Sequence, residues 1–229
     1  MESGFLPAED WQLSAVIALA EFADTDLQVD AFDRQLRQGN PGLHQVLVGL
    51  SHQFCPELKL LSEDSSKHWL VAVTLLHARP LFEFCGEAVH AKAVTSFAVI
   101  AEHEIRRYVF LSFAARMNDP AFAAIVRREG NTYDQDKLLK FLRTKDHFIS
   151  LNGMGDVIRE CQNSRLKTHL EFRTHLDAEA PCLVGESNKI RELAELRDPP
   201  SHAPTLNSRE DAMRAAELCV HLIRCLAKG

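Results

Sequence analysis

Between Leu193 and Pro204 the chain reads Leu-Ala-Glu-Leu-Arg-Asp-Pro-Pro-Ser-His-Ala-Pro, and Arg197, Asp198 and His202 crowd a guanidinium, a carboxylate and an imidazole into one short segment. Arginine carries a permanent charge on a planar fork that fits two oxygens of a phosphate or carboxylate. Histidine exchanges a proton near neutrality. Together they suit work on an anion that also needs a proton moved. Pro199 and Pro200 end the preceding helix and stiffen the link, so Arg197 and His202 are expected near each other rather than on a floppy loop. A plainer account stays open: Arg197 at a helix C-terminus stabilises the helix dipole, and His202 is one more polar loop residue.

Other candidate chemistry is thinner. Six cysteines, at 55, 85, 161, 182, 219 and 225, contain no Cys-x-x-Cys pair and no zinc-site spacing, and they read as reduced, small apolar residues. His169 and His175 lie near Cys182, but a six-residue step does not bring two side chains to one helix face, so no metal is expected there. Asn152-Gly153-Met154-Gly155-Asp156 has the glycines of a phosphate loop without a preceding strand or a following Gly-Lys-Ser/Thr. A turn with an N-cap is the expectation for that stretch.

The elements that must position these groups are helical. Pro7, Glu9 and Asp10 precede an apolar run over Trp11 to Phe22, a first helix with acidic residues at its positive end. A second follows Asp26 and stops at Gly39-Asn40-Pro41, and a third runs from about Leu43 to Phe54. From Ser65 or Ser66 to Ala78, apolar residues including Trp69, Leu70, Val73 and Leu76 leave little polar face, so this helix is expected to be central. The longest periodic stretch, about Glu87 to Met117, carries Val94, Phe97, Ala98, Ala101, Ile105, Tyr108, Val109 and Ser112 at 3-or-4 spacing until Asn118-Asp119-Pro120 ends it. It would form a spine about 45 Å long. Short helices at 120 to 128 and 136 to 144, a longer one from Asp156 to about Leu176 and another from Ser187 to Leu196 come next. The last begins at Ser208, where Asp211 completes a capping box. Its polar stripe is Glu210, Arg214, Glu217, His221, Arg224 and Lys228, and its apolar face is Ala212, Met213, Ala216, Cys219, Val220, Ile223 and Ala227. No internal repeat and no βαβ pattern is visible.

An Arg, a polar residue and a His, set between one helix and a strongly amphipathic C-terminal helix, resembles the motif of HEPN (higher eukaryotes and prokaryotes nucleotide-binding) domains. The matching residues are Arg197, Asp198 and His202. Arg37/His44 and Arg214/His221 have similar spacings. The first spans the Gly-Asn-Pro break and the second lies inside the terminal helix, so only Arg197/His202 has the family's surroundings. The resemblance covers about Lys189 to Lys228 best and reaches more loosely to the long helix carrying Glu102, Arg106 and Arg107. Residues 1 to 60 match nothing in the family.

That resemblance implies an all-α, multi-helix bundle with a HEPN-like C-terminal core, and metal-independent RNA cleavage without a cofactor. His202 would move a proton at the ribose 2′-hydroxyl or the leaving 5′-oxygen, Arg197 would hold phosphate oxygens, and Asp198 would orient either partner. Two such sites commonly face each other across a twofold axis, which implies a homodimer or a heterodimer with a related or regulatory partner, and RNA as substrate. Glu102 and Arg106, spaced i, i+4 and so on one helix face, are supporting candidates, with an ordinary surface ion pair as the alternative. A toxin or antiviral defence effector is the expected setting. A catalytically inactive HEPN-like binding or adaptor module is the competing one, and an all-helical scaffold with an accidental motif is a third.

Composition limits these readings. At 229 residues, 46% apolar and 25% charged, the chain suits one large domain or two small ones. Residues 1–60 are expected as a helical, interaction or regulatory region and 61–229 as the bundle, unless the two are continuous. The net charge of −6 argues against coating long nucleic acid. The acidity sits in residues 1–100, with 6 basic and 13 acidic groups, so the remainder is near neutral and any contact with RNA should be local. Glu87, Lys92 and Glu102 interrupt the longest apolar candidate for a membrane span, and the first residues lack a secretory order, so a cytoplasmic location without membrane crossing is expected.

Overall fold

The computed structural model describes residues 29–39, 41–77, 88–144, 148–198 and 207–227. Among them every regular element is helical and none is a strand, so the fold class is all-α. The expected first helix, at Trp11 to Phe22, lies outside the described residues. The chain divides into two compact units, residues 1–97 with 202–214 and residues 98–201 with 215–229.

In the first unit, α1 (Val29–Gly39), α2 (Pro41–Phe54), a 3₁₀ turn (Pro56–Leu60) and α3 (Glu63–His77) succeed one another. Pro41 opens α2, where its missing N–H costs no hydrogen bond. Ser62 caps α3 by accepting from the Ser65 amide at 3.2 Å. Leu70, Val71, Ala72 and Leu75 of α3 are buried, and Trp69 meets Phe97 edge-on with ring centroids 5.5 Å apart. The expected central helix is there, although Val73 and Leu76 are only half-buried. Asp33, buried on α1, is matched by Arg37 Nε at 2.7 Å and His44 Nε2 at 3.4 Å.

The spine, of which residues from Ala98 belong to the second unit, is helical from α4 (Ala88–Ile105) through Asn118, but not as one regular α-helix. Arg106–Leu111 form a π turn, then come Ser112–Ala114 and a 3₁₀ turn, Ala115–Asn118. A π turn inserts a residue into the repeat and so rotates the side chains beyond it about the helix axis. Tyr108 and Ser112, expected on the inner face, are therefore exposed, while Val109, Phe110 and Phe113 are buried. Phe110 contacts Phe141 and Phe172 at centroid distances of 5.6 and 5.1 Å, and Phe113 contacts Phe172 and Phe122 at 5.1 and 5.4 Å. These tilted and edge-on pairs form the aromatic centre of the unit.

After Asp119, which caps the next helix through the Ala121 amide, come α5 (Pro120–Thr132), α6 (Lys137–Arg143), α7 (Leu151–Cys161) and α8 (Lys167–Glu179). The expected turn at 152–156 is not one. Ser150 caps α7, and Gly153 and Gly155 lie inside it. A Cβ on Gly155 would fall 2.8 Å from Arg191 Cγ and 3.1 Å from the Ser187 carbonyl oxygen, so this glycine lets two helices approach closely. The helix expected from Asp156 to Leu176 is instead two, separated at 162–166.

A 3₁₀ turn (Pro181–Gly185), α9 (Ser187–Arg197) and α10 (Arg209–Leu226) complete the chain. The capping box is formed: Asp211 Oδ2 accepts from the Ser208 amide at 2.8 Å, and Ser208 Oγ accepts from the Asp211 amide at 3.1 Å. The buried face of α10 is Ala212, Ala215, Leu218, Cys219, Leu222, Ile223, Cys225 and Leu226. Met213 is exposed, a correction to the expected face, because the buried stripe runs through Leu218 and Leu222 instead. Among the described residues no single helix is long and apolar enough to cross a membrane.

Candidate functional site

Arg197 is the last residue of α9, with the cap made by the Asp198 amide donating to the Ala194 carbonyl. Its side chain does more than favour the helix dipole. Arg197 Nη1 donates to Glu102 Oε2 at 2.7 Å, joining residues 95 apart in sequence. Its Nε and Nη2 donate to Asp198 Oδ2 at 3.0 and 2.8 Å. Both carboxylates hold the guanidinium more firmly in its charged form, against the opposing effect of partial burial.

Glu102 is the hub. Its Oε1 accepts from Arg106 Nη2 at 2.6 Å, and its Oε2 accepts also from the Leu151 amide at 3.2 Å, at the start of α7. Arg106 Nη2 donates further to the Ile149 carbonyl at 3.0 Å, and its guanidinium lies over the Phe148 ring, 5.0 Å from the centroid. The i, i+4 step from Glu102 to Arg106 runs from the α-helical part of the spine into its π turn. Four of the five residues singled out in the sequence, Glu102, Arg106, Arg197 and Asp198, are thus one connected group of two guanidiniums and two carboxylates. His202 lies outside the described residues, as do Pro199 and Pro200.

The two carboxylates differ in accessibility. Side-chain exposure is 15% for Glu102 and 69% for Asp198, with Arg197 at 19%. An anion approaching Arg197 from solvent therefore competes with Asp198 first. Glu102 fixes the position of the guanidinium from behind, and Asp198 covers the edge on which two parallel hydrogen bonds to a phosphate would form.

The histidine cluster weighed in the sequence is dispersed. His169 Nε2 lies 2.9 Å from Asp136 Oδ2, whereas His175 Nε2 lies 2.9 Å from Ser112 Oγ and 3.2 Å from the Val109 carbonyl. Burial pushes the His175 imidazole below its ordinary range. Asp136, despite burial, is held below the usual carboxylate range by His169 and the Leu139 and Leu138 amides.

The cysteines also differ from the expectation that all are reduced. Cys182 and Cys225, separated by 43 residues, are joined as a disulfide, while Cys55, Cys161 and Cys219 are buried thiols outside any disulfide and Cys85 lies outside the described residues. Burial pushes the Cys161 thiol up to about 11. Sequence spacing does not reveal the pair, because these two cysteines meet through the packing of the Pro181–Gly185 turn and α10.

Comparison with family models, with curated proteins and with solved structures finds no match to this chain.

Proposed function

We propose that this chain is a metal-independent endoribonuclease of HEPN type, acting as a toxin or antiviral defence effector. The observation that supports it most is the Glu102–Arg197 bridge. It holds the arginine of the motif at a helix end, next to a second arginine and beside an exposed carboxylate that an anion can displace.

The reaction is set by the residue types. The ribose 2′-oxygen attacks the adjacent phosphorus, its proton leaves to a base, the bond from phosphorus to the 5′-oxygen breaks, and that oxygen takes up a proton. His202 supplies one of the two proton transfers. Arg197 binds the non-bridging oxygens as charge builds on them. The products carry a 2′,3′-cyclic phosphate and a 5′-hydroxyl. Pairing with a second copy, or with a related partner, would double the positive charge around the scissile phosphate.

One observation favours a second reading, a HEPN-like binding or adaptor module without cleavage: Arg197 Nε, Nη1 and Nη2 are all engaged by carboxylates. Single-turnover assays on RNA with Arg197→Ala and His202→Ala separate the two. Cleavage that persists in a chelator and falls roughly 100-fold or more in each variant, at a temperature where circular dichroism shows each variant folded, is the expected result. RNA bound but left intact by wild type and variants alike, tested as a dimer and with any natural partner, selects the second reading.

A further inference from the structure

We propose that Cys182, Glu186, His221 and Cys225, when the two cysteines are reduced, form a structural site for zinc or a similar divalent cation. The site is separate from the Arg197 group and its assignment does not depend on RNA cleavage.

The donors come as two local pairs. Glu186 is four residues beyond Cys182 across the Pro181–Gly185 turn, and Cys225 is four beyond His221 on α10. Packing brings the pairs together: Cys182 Sγ, Cys225 Sγ and a Glu186 carboxylate oxygen all lie within 4.8 Å of one another. His221 Nε2 lies 3.1 Å from Glu186 Oε1 and 3.8 Å from Cys225 Sγ. Zinc held at roughly 2.0–2.3 Å by nitrogen, oxygen and sulfur in a tetrahedron keeps its donor atoms about 3.3–3.8 Å apart. The imidazole already stands at the upper end of that range from one sulfur, at 3.8 Å, and slightly below it from the carboxylate, at 3.1 Å. A disulfide alone calls for neither an imidazole nor a carboxylate, whereas two thiolates, an imidazole and a carboxylate are a zinc donor set.

Charge and surroundings agree. Two thiolates and one carboxylate exceed the charge of a divalent cation by one, and Lys189 supplies that balance: its Nζ donates to Glu186 Oε2 at 2.6 Å. Lys189 Nζ also sits 3.3 Å from His221 Nε2. The metal takes that nitrogen, and Lys189 keeps Oε2 as an outer partner of the ligating carboxylate. Cys225 is buried, and the half-exposed His221 leaves the site reachable from solvent. The ion would pin the Pro181–Gly185 turn to α10, and Glu186 immediately precedes α9, whose last residue is Arg197. Loading therefore stiffens the helix that carries Arg197.

The test uses the full chain kept reduced with a phosphine and free of chelator. Metal analysis is expected to give one zinc per chain, and cobalt(II) in its place should give visible bands of tetrahedral geometry with a thiolate charge-transfer band. Zinc should shield Cys182 from alkylation and raise the melting temperature. His221→Ala and Glu186→Gln should each weaken zinc binding by at least roughly the 10- to 100-fold that loss of an outer partner costs. Cys182→Ser, at a half-exposed position, should weaken the thiolate band, leaving only the share from Cys225, without unfolding the chain. The proposal is overturned if the reduced, folded protein takes up no cobalt(II), or if His221→Ala and Glu186→Gln bind zinc as wild type does. A disulfide that persists under the phosphine likewise overturns it.

Discussion

Glu102 accepts hydrogen bonds from two guanidiniums and a backbone amide, while Asp198 meets the arginine beside it. Their burial makes the two carboxylates separable by mutation. Glu102→Gln removes the charge shared by Arg106 and Arg197 at a mostly buried position, and should cost about 1–3 kcal/mol in a chemical melt. Asp198→Asn alters an exposed pair and should change stability by no more than about 0.5 kcal/mol. On the proposed ribonuclease reading, its effect belongs to binding instead. Freed of a competing carboxylate, Arg197 should hold RNA more tightly, with a steeper dependence of affinity on salt. Titration of a non-cleavable, 2′-deoxy-substituted RNA at two salt concentrations measures both. Unchanged affinity in Asp198→Asn would mean that Arg197 does not face the nucleic acid. The i, i+4 relation of Glu102 and Arg106 was legible in the sequence, because helical spacing is local. The link from Glu102 to Arg197 was not, since it depends on how α9 ends against the spine.

At the scale of elements, glycines show how the same residue type serves opposite ends. Gly49 lies in α2 and Gly155 in α7. An added Cβ meets nothing within 4 Å at Gly49, but meets Arg191 and the Ser187 carbonyl at Gly155. Gly49→Ala should therefore gain about 0.5–1 kcal/mol from helix propensity, whereas Gly155→Ala should lose about 1–2 kcal/mol as the helices are forced apart. Thermal melts of the two variants decide; stabilisation by Gly155→Ala would show that Arg191 simply moves aside. The same residue type also marks the limit of local signals. Helices with strong punctuation were readable: Pro41, Asp119-Pro120 and the Ser208–Asp211 box mark their elements correctly. Gly153 and Gly155 carry the composition of a turn, yet tertiary packing keeps them helical. The π turn at Arg106–Leu111 had no local marker, so beyond Ile105 the inner face of the spine was assigned correctly at Val109 but not at Tyr108 or Ser112.

Over the whole molecule, acidity concentrates in residues 1–100, while His175, Asp136 and Glu129, three groups whose titration the fold shifts, sit in the second unit. His175, on α8, faces the Val109 carbonyl, Ser112 Oγ and the Phe113 ring, with Glu179 and Arg116 nearby. Burial lowers its folded pKa below the ordinary 6.5, so its contribution to stability is present above that value and is lost as pH falls below it. Asp136 and Glu129 have folded pKa values below their ordinary 3.8 and 4.5, because hydrogen bonds from His169 and from Thr168 and Lys167 outweigh burial. Their contributions are lost only at lower pH, as it falls through those values. Acid should therefore weaken the second unit in two stages, the first beginning as pH falls below the ordinary 6.5 of His175 and the second below the ordinary 4.5 and 3.8 of Glu129 and Asp136. His175→Gln keeps a polar group beside Val109 but does not titrate, so it should flatten the first stage and leave the second. Urea melts monitored by helical circular dichroism at pH 7, 5.5 and 4 test this directly. Trp69 belongs to the first unit, so its fluorescence should change less than the helical signal across the first stage. Equal pH dependence in wild type and His175→Gln would assign the first stage to some other group.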